Sequence, residues 1–141
     1  MALNPCRLLA FVVLSTCLNS PVLANDNVLV VQQQGDISYV SGGIGTDERD
    51  ELEAVKHNYN LRVMNADKTG HFSGDTHITI SDSKHNVLLD APGGPLFYAN
   101  LPKGHYIVEG FSQDLNKKQA IAITGKSPVA VRFVWPQDTT E

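Results

Sequence analysis

The sequence predicts a mainly β fold: one antiparallel β-sandwich of about seven strands with a single short N-terminal helix. Three observations carry this. From Leu61 to Val134, apolar and polar residues alternate in short runs separated by turns rich in glycine, proline, asparagine and aspartate. Helical spacing appears in one place, where Leu52, Val55 and Tyr59 recur at i, i+3 and i+7. Finally, both cysteines of the 141-residue chain, Cys6 and Cys17, lie ahead of the fold, so the sandwich must stand on its apolar core rather than on disulfides.

Residues 1–24 read as a cleavable export signal. Arg7 precedes the apolar run Leu8 to Leu18, which is too short to span a bilayer, and Pro21 breaks it. Val22 and Ala24 supply the small residues that signal peptidase requires, so cleavage is expected after Ala24, with a periplasmic location. Leu14-Ser15-Thr16-Cys17 resembles a lipidation signal, but Thr16 stands where Gly, Ala or Ser is needed, and a lipoprotein anchored at Cys17 is not expected. Taking 24 residues from 141 leaves 117, and losing Arg7 moves the formal charge from −4 to −5. That length suits one domain, and mild acidity argues against a nucleic-acid partner. No second apolar run follows, so no transmembrane segment is expected in the mature chain.

Within the mature chain, residues 25–58 are expected to form an N-terminal arm, a glycine-rich turn and the short helix; residues 59–136 the sandwich; and residues 137–141 a frayed tail. Val28 to Val31 and Ile37 to Val40 are β-prone pieces of a partly ordered arm. Thr46 suits an N-cap, Asp47, Glu48, Asp50 and Glu51 favour the positive end of the helix dipole, and Asn58 or Asn60 suits a left-handed stop. The period then changes to two. Leu61, Val63 and Ala66 alternate with Arg62 and Met64, and Asn65 to Gly70 reads as a polar turn. His71 to Ser81 alternates around Ile78 and Ile80, and Asp82 to Asn86 is a hairpin loop leading to Val87-Leu88-Leu89. The prolines and glycines of Ala91 to Pro95 break the pattern. Strands follow at Leu96 to Ala99, Tyr106 to Val108, Ala120 to Ile123 and Val129 to Trp135, with turns at Pro102 to Gly104 and Asp114 to Lys118.

Two stretches, Thr76-His77-Ile78-Thr79-Ile80-Ser81-Asp82 with Val87-Leu88-Leu89, and Leu101-Pro102-Lys103-Gly104-His105-Tyr106-Ile107-Val108, resemble the carboxypeptidase-regulatory-like domains. That group shares an Ig-like, prealbumin-like (transthyretin-like) β-sandwich and a Leu-Pro-x-Gly-x-Tyr-x-Val turn signature, which stands intact here. Pro102, Gly104 and Tyr106 are accordingly expected to build a structural turn. Pro102 presets φ, Gly104 takes a backbone angle other residues resist, and Tyr106 returns to the core. With Tyr39 to Gly45, Tyr59 to Arg62 and Phe133 to Trp135 added, the resemblance extends to small exported bacterial proteins that carry this domain alone and have no established activity. What it implies is architecture and address. A transthyretin-related hydrolase group requires a Tyr-Arg-Gly-Ser ending, whereas Trp135 is followed here by Pro136-Gln137-Asp138-Thr139-Thr140-Glu141.

No catalytic, cofactor-binding or metal constellation is expected, and the chain is not expected to be an enzyme. Gly42-Gly43-Ile44-Gly45 lacks the Lys-Ser/Thr of a phosphate loop, and acidic side chains crowd the place an anion would take. His57, His71, His77, His85 and His105 show no paired ligand spacing. The acidic run Asp47 to Glu53 reads as a solvated helix face. Phe97 and Tyr98 are adjacent in a strand, so one of them must face away from the core and is a possible ligand-facing ring. Trp135 reads as a core plug. The expected function is a non-enzymatic binding or accessory module acting through an unknown envelope protein, with a glycan held on exposed aromatics as the alternative.

Overall fold

The computed structural model describes residues 29–137, so the expected leader, the Cys17 signal and nearly all of the C-terminal tail lie outside the described residues. In chain order the elements are β1 (Gln32–Gln34), β2 (Ile37–Gly42), α1 (Thr46–Val55), β3 (Leu61–Asp67), β4 (His77–Asp82), β5 (Val87–Pro92), β6 (Leu96–Asn100), β7 (Gly104–Ser112), β8 (Leu115–Ile123) and β9 (Val129–Trp135). A five-stranded sheet, ordered β1-β2-β6-β3-β9, faces a four-stranded sheet, ordered β5-β4-β7-β8, in a sandwich-like arrangement.

The described residues hold nine strands rather than about seven, and the two extra ones come from the arm. The arm is part of the sheet because Ile37 and Tyr39 fill core positions while β2 pairs along β6, so the expected boundary near residue 59 does not divide the fold. Of the β-prone run Val28 to Val31, Val28 lies outside the described residues and Leu29 to Val31 is not in a strand; Val30 and Val31 are exposed, and the polar Gln32–Gln34 pairs instead. One pair is parallel, β3 with β9, so the sandwich is not wholly antiparallel.

Period-two alternation places Leu61, Val63, Phe97, Ala99, Val131 and Phe133 of one sheet against Ile78, Ile80, Leu89, Tyr106, Val108 and Ile121 of the other. Each large apolar side chain so buried contributes roughly 1.5–3 kcal/mol. Tyr39 stacks on Phe97 with ring centroids 5.5 Å apart, and Trp135 plugs one end of the core at 2% exposure. Pro92 ends β5 at a sheet edge, where its missing N–H is tolerated, and the break falls at Gly93-Gly94.

Several local expectations are corrected. Asn65 belongs to β3 and is fully buried, not in a polar turn. Its amide donates to the Gly94 carbonyl at 2.9 Å and accepts from the Trp135 indole N–H at 3.2 Å, so the polar side chain is satisfied inside the core. Helix α1 is N-capped by Gly45 without a side-chain bond rather than by Thr46. It ends through a 3-10 turn at Lys56–Asn58 instead of a left-handed asparagine. Asn60 and Asn100 tie that end down: Asn60 Nδ2 donates to the Leu101 carbonyl at 2.7 Å, and Asn100 Nδ2 to the Asn58 carbonyl at 2.8 Å. The turn expected at Asp114 to Lys118 is instead a tight Gln113-Asp114 loop joining β7 and β8, with Gln113 at φ 54°.

Candidate functional site

The outer face of the five-stranded sheet is where side chains that alternate away from the core collect. On β3 these are Arg62 and Met64, on β9 Ala130 and Arg132, and on β6 Leu96 and Tyr98. Register sets their neighbours. Tyr98, Arg62 and Ala130 form one row across three strands, and Leu96, Met64 and Arg132 form the next.

Helix α1 covers only part of this face. Leu52, Val55 and Tyr59 pack on Val40, Leu96 and Tyr98, making a second apolar cluster outside the main core. The tilted Tyr59–Tyr98 ring pair, 6.2 Å between centroids, closes it. Beyond the helix lies a groove of about 350 Å³, lined by Glu53 and Lys56 from the helix side and by Arg62, Met64, Tyr98 and Arg132 from the sheet.

The groove is cationic although the chain is acidic overall. Lys56 is paired with Glu53, and the Arg62 Nε donates to the Lys56 carbonyl at 3.2 Å. Among the described residues, no carboxylate lies within ion-pair distance of Arg62 or Arg132. Burial raises the Tyr98 phenol above its ordinary value of 10.0, the Glu53 charge adds to this, and Arg62 opposes it. Tyr98 is therefore a neutral hydrogen-bonding wall at physiological pH. The groove presents two arginines, a methionine and a phenol edge beside the Lys56–Glu53 pair. Such a set can hold an anion.

Phe97 and Tyr98 do point to opposite faces, but neither exposes a ring: Phe97 is 0% and Tyr98 5% exposed. The outward ring lies beneath the helix, and only its edge reaches the groove. At the expected structural turn, Tyr106 is buried in the core and its hydroxyl donates to the Pro102 carbonyl at 2.6 Å, which locks the corner. Gly104 has φ +158°, at the edge of the range that L side chains rarely adopt, while an added Cβ would meet the Tyr106 ring at 3.6 Å, an ordinary contact, so any strain there comes from the backbone and not from space.

The glycine-rich loop does form an anion nest, and the protein fills it itself. Glu48 Oε2 accepts from the N–H groups of Gly43 at 2.8 Å and Ile44 at 3.1 Å. Gly43, at φ +102°, makes this turn possible. The nearby Arg49 guanidinium donates to the Gly43 and Ile44 carbonyls, both at 3.1 Å, and lies 5.5 Å over the Phe72 ring. His77 pairs with Asp90 and His71 bonds Thr69; among the described residues no group of three or more His, Cys, Asp or Glu is placed to hold a metal ion.

Arg62 and Arg132 are the residues that sequence reading passed over. The usable signal was a lone cation at an outward position of each of two strands, β3 and the otherwise apolar β9, but their adjacency depends on the parallel β3–β9 register. No helix among the described residues is long and apolar enough to cross a membrane. Comparison with known proteins found no matching family, no matching curated protein and no matching solved structure.

Proposed function

We propose that this protein is a non-enzymatic binding or accessory module of the bacterial envelope, exported by its first 24 residues and acting through a protein partner. Its fold is read as the prealbumin-like sandwich of the carboxypeptidase-regulatory-like domains, on the strength of the Leu101 to Val108 signature. One observation carries the functional reading. Half of one sheet face is left uncovered as a cationic, partly apolar groove, with arginines that no carboxylate of the described residues neutralises. A surface of this kind, enriched in Arg, Met and Tyr, has the composition of a protein interface.

The test is a cross-linked pull-down of the tagged, natively exported protein, read by mass spectrometry with cross-links mapped to Lys56 at the groove rim. One stoichiometric envelope protein cross-linked there is the expected result. A lane holding only the bait, or turnover in an unbiased hydrolase screen, would overturn it.

A glycan-binding reading draws support from a different ring. Phe111 is half-buried on the open face of the four-stranded sheet, 6.4 Å from the His77 ring. Calorimetric titration with cell-wall glycans, before and after Phe111→Ala, tests it; absence of heat removes it.

A further inference from the structure

Resting on the binding-module reading, we propose that the partner docks by strand addition. An extended acidic segment pairs along the free edge of β9 and sets two carboxylates, two residues apart, against Arg132 and Arg62.

The direction of the β9 backbone follows from two bonds. The Val129 N–H donates to the Asn60 carbonyl at 2.8 Å, so residue 129 points toward β3. Backbone groups alternate along a strand, so Val131, Phe133 and Trp135 also face β3, whereas Ala130, Arg132 and Val134 face outward. The bond from Lys117 Nζ to the Val134 carbonyl agrees with this assignment and takes up that acceptor. β9 ends its sheet, and the backbone N–H and C=O of Ala130 and Arg132 have no partner among the described residues. Unpaired groups of this kind form a template for another strand.

The same two residues, both exposed, carry their side chains on the open outer face. A strand laid beside β9 would stand about 4.8 Å away and place alternate side chains on that face. A carboxylate next to Arg132 pairs with it directly. One next to Ala130 meets only a methyl group and can reach over it to Arg62, which β3 presents in the same row. Two such positions on one strand are i and i+2, about 6.8 Å apart. Lys56 is already held by Glu53, so the charge left to recruit a partner is that of the two arginines. Backbone pairing supplies adhesion, and the i, i+2 carboxylates supply selectivity.

The probe is a fluorescein-labelled heptapeptide with glutamates at its third and fifth positions and serine and threonine elsewhere, titrated into the mature protein by anisotropy at low salt. Saturable binding is expected, with no binding by the version carrying lysines at those positions. Arg132→Glu should weaken binding at least tenfold. Ala130→Pro removes an outward N–H without touching the β3 ladder and should abolish binding while the melting temperature holds; if that variant unfolds, Arg132→Glu decides alone. Amide exchange at residues 130 and 132 should slow in the complex.

Binding indifferent to Arg132→Glu, or displaced by inorganic phosphate with amide exchange unchanged, would overturn strand addition in favour of a simple anion site. No saturable binding would overturn it as well. If the peptide fails while the pull-down still yields a protein cross-linked at Lys56, strand addition falls and the binding-module reading stands; if both fail, both fall.

Discussion

On the outer face of the five-stranded sheet, Val40, Leu96 and Tyr98 lie beneath α1, while Arg62, Met64, Ala130 and Arg132 stand on the next two strands, β3 and β9, beyond the helix, with Arg62 touching only its end at the Lys56 carbonyl. Both halves arise from the same period-two alternation, so strand pattern explains why each side chain leaves the core and not what becomes of it afterwards. The cover decides that. A helix about 10 Å across spans roughly two strand spacings of 4.8 Å, which is enough for β2 and β6 and not for β3 and β9. Residue types follow the cover: aliphatics and tyrosines beneath it, arginines and a half-exposed methionine beyond it. A second apolar cluster thus stabilises the fold on one side of Tyr98, and a chargeable surface is left free on the other.

The sharpest way to break this contrast is to truncate one side chain on each side. Leu52 is 0% exposed and is the side chain by which α1 grips the sheet, so Leu52→Ala should cost about 2–5 kcal/mol in urea unfolding. Met64, 36% exposed, should tolerate the same truncation within about 0.5 kcal/mol. Equal losses at the two sites would mean the groove is as structural as the covered half.

The inner face offers a second comparison, since there it is space that is limiting rather than cover. A Cβ at Gly110 would stand 2.8 Å from the Phe133 ring and 3.2 Å from Trp135, both packed in the core. Gly110→Ala should therefore destabilise by about 1–3 kcal/mol through overpacking. Gly104→Ala, with its nearest contact at 3.6 Å, should cost less than Gly110→Ala. Reversed ranking of the two midpoints would make the Gly104 backbone angle a tighter constraint than the packed space at Gly110.

Alkaline pH separates the halves differently. Burial raises the native pKa of Tyr59 and of Tyr98, and burial followed by the Asp82 charge raises that of Tyr106, each from an ordinary value of 10.0. The folded state holds these protons more tightly than the unfolded chain. The resulting stability is complete below pH 10.0 and is lost as pH rises through the higher native values. Two of the three phenols lie in the helix-covered cluster. Denaturant midpoints followed from about pH 8 to about pH 11 should fall for the wild type and fall less for a Tyr59→Phe, Tyr98→Phe double variant. Identical slopes would show that the cluster does not hold its phenols away from water.

How much of this was legible in the residues depends on the range of the contacts involved. Ile78, Ile80 and Tyr106 could be placed in the core because alternation and turn chemistry are local. Trp135 could be read as a plug because a large ring is seldom left outside. Asn65 could not be placed, because its burial depends on Gly94 and Trp135, far away in sequence, to satisfy its amide. That one of Phe97 and Tyr98 must face outward was legible, but not which one, nor that it would be covered, since docking of α1 on that face is a long-range event. The Arg62–Arg132 surface was hidden for the same reason: it exists only once β9 lies parallel to β3. Glu48 in the glycine nest was half legible, because acidic residues were expected to exclude an outside anion, and the chain supplies its own.

The smallest expected stability effect is the one that matters most for function. Arg132 is exposed, ends in no ion pair among the described residues and lies outside both apolar clusters. Arg132→Glu should therefore change the unfolding free energy by less than about 0.5 kcal/mol. It should nonetheless remove the cross-linked partner from the pull-down, because it reverses the charge at the open end of the groove. A variant that loses stability along with its partner would make Arg132 a structural residue and return the uncovered half to the same role as the covered one. A variant that keeps its melting temperature and loses the partner would show that β9 presents its arginine for a ligand, because the fold itself gains nothing from that charge.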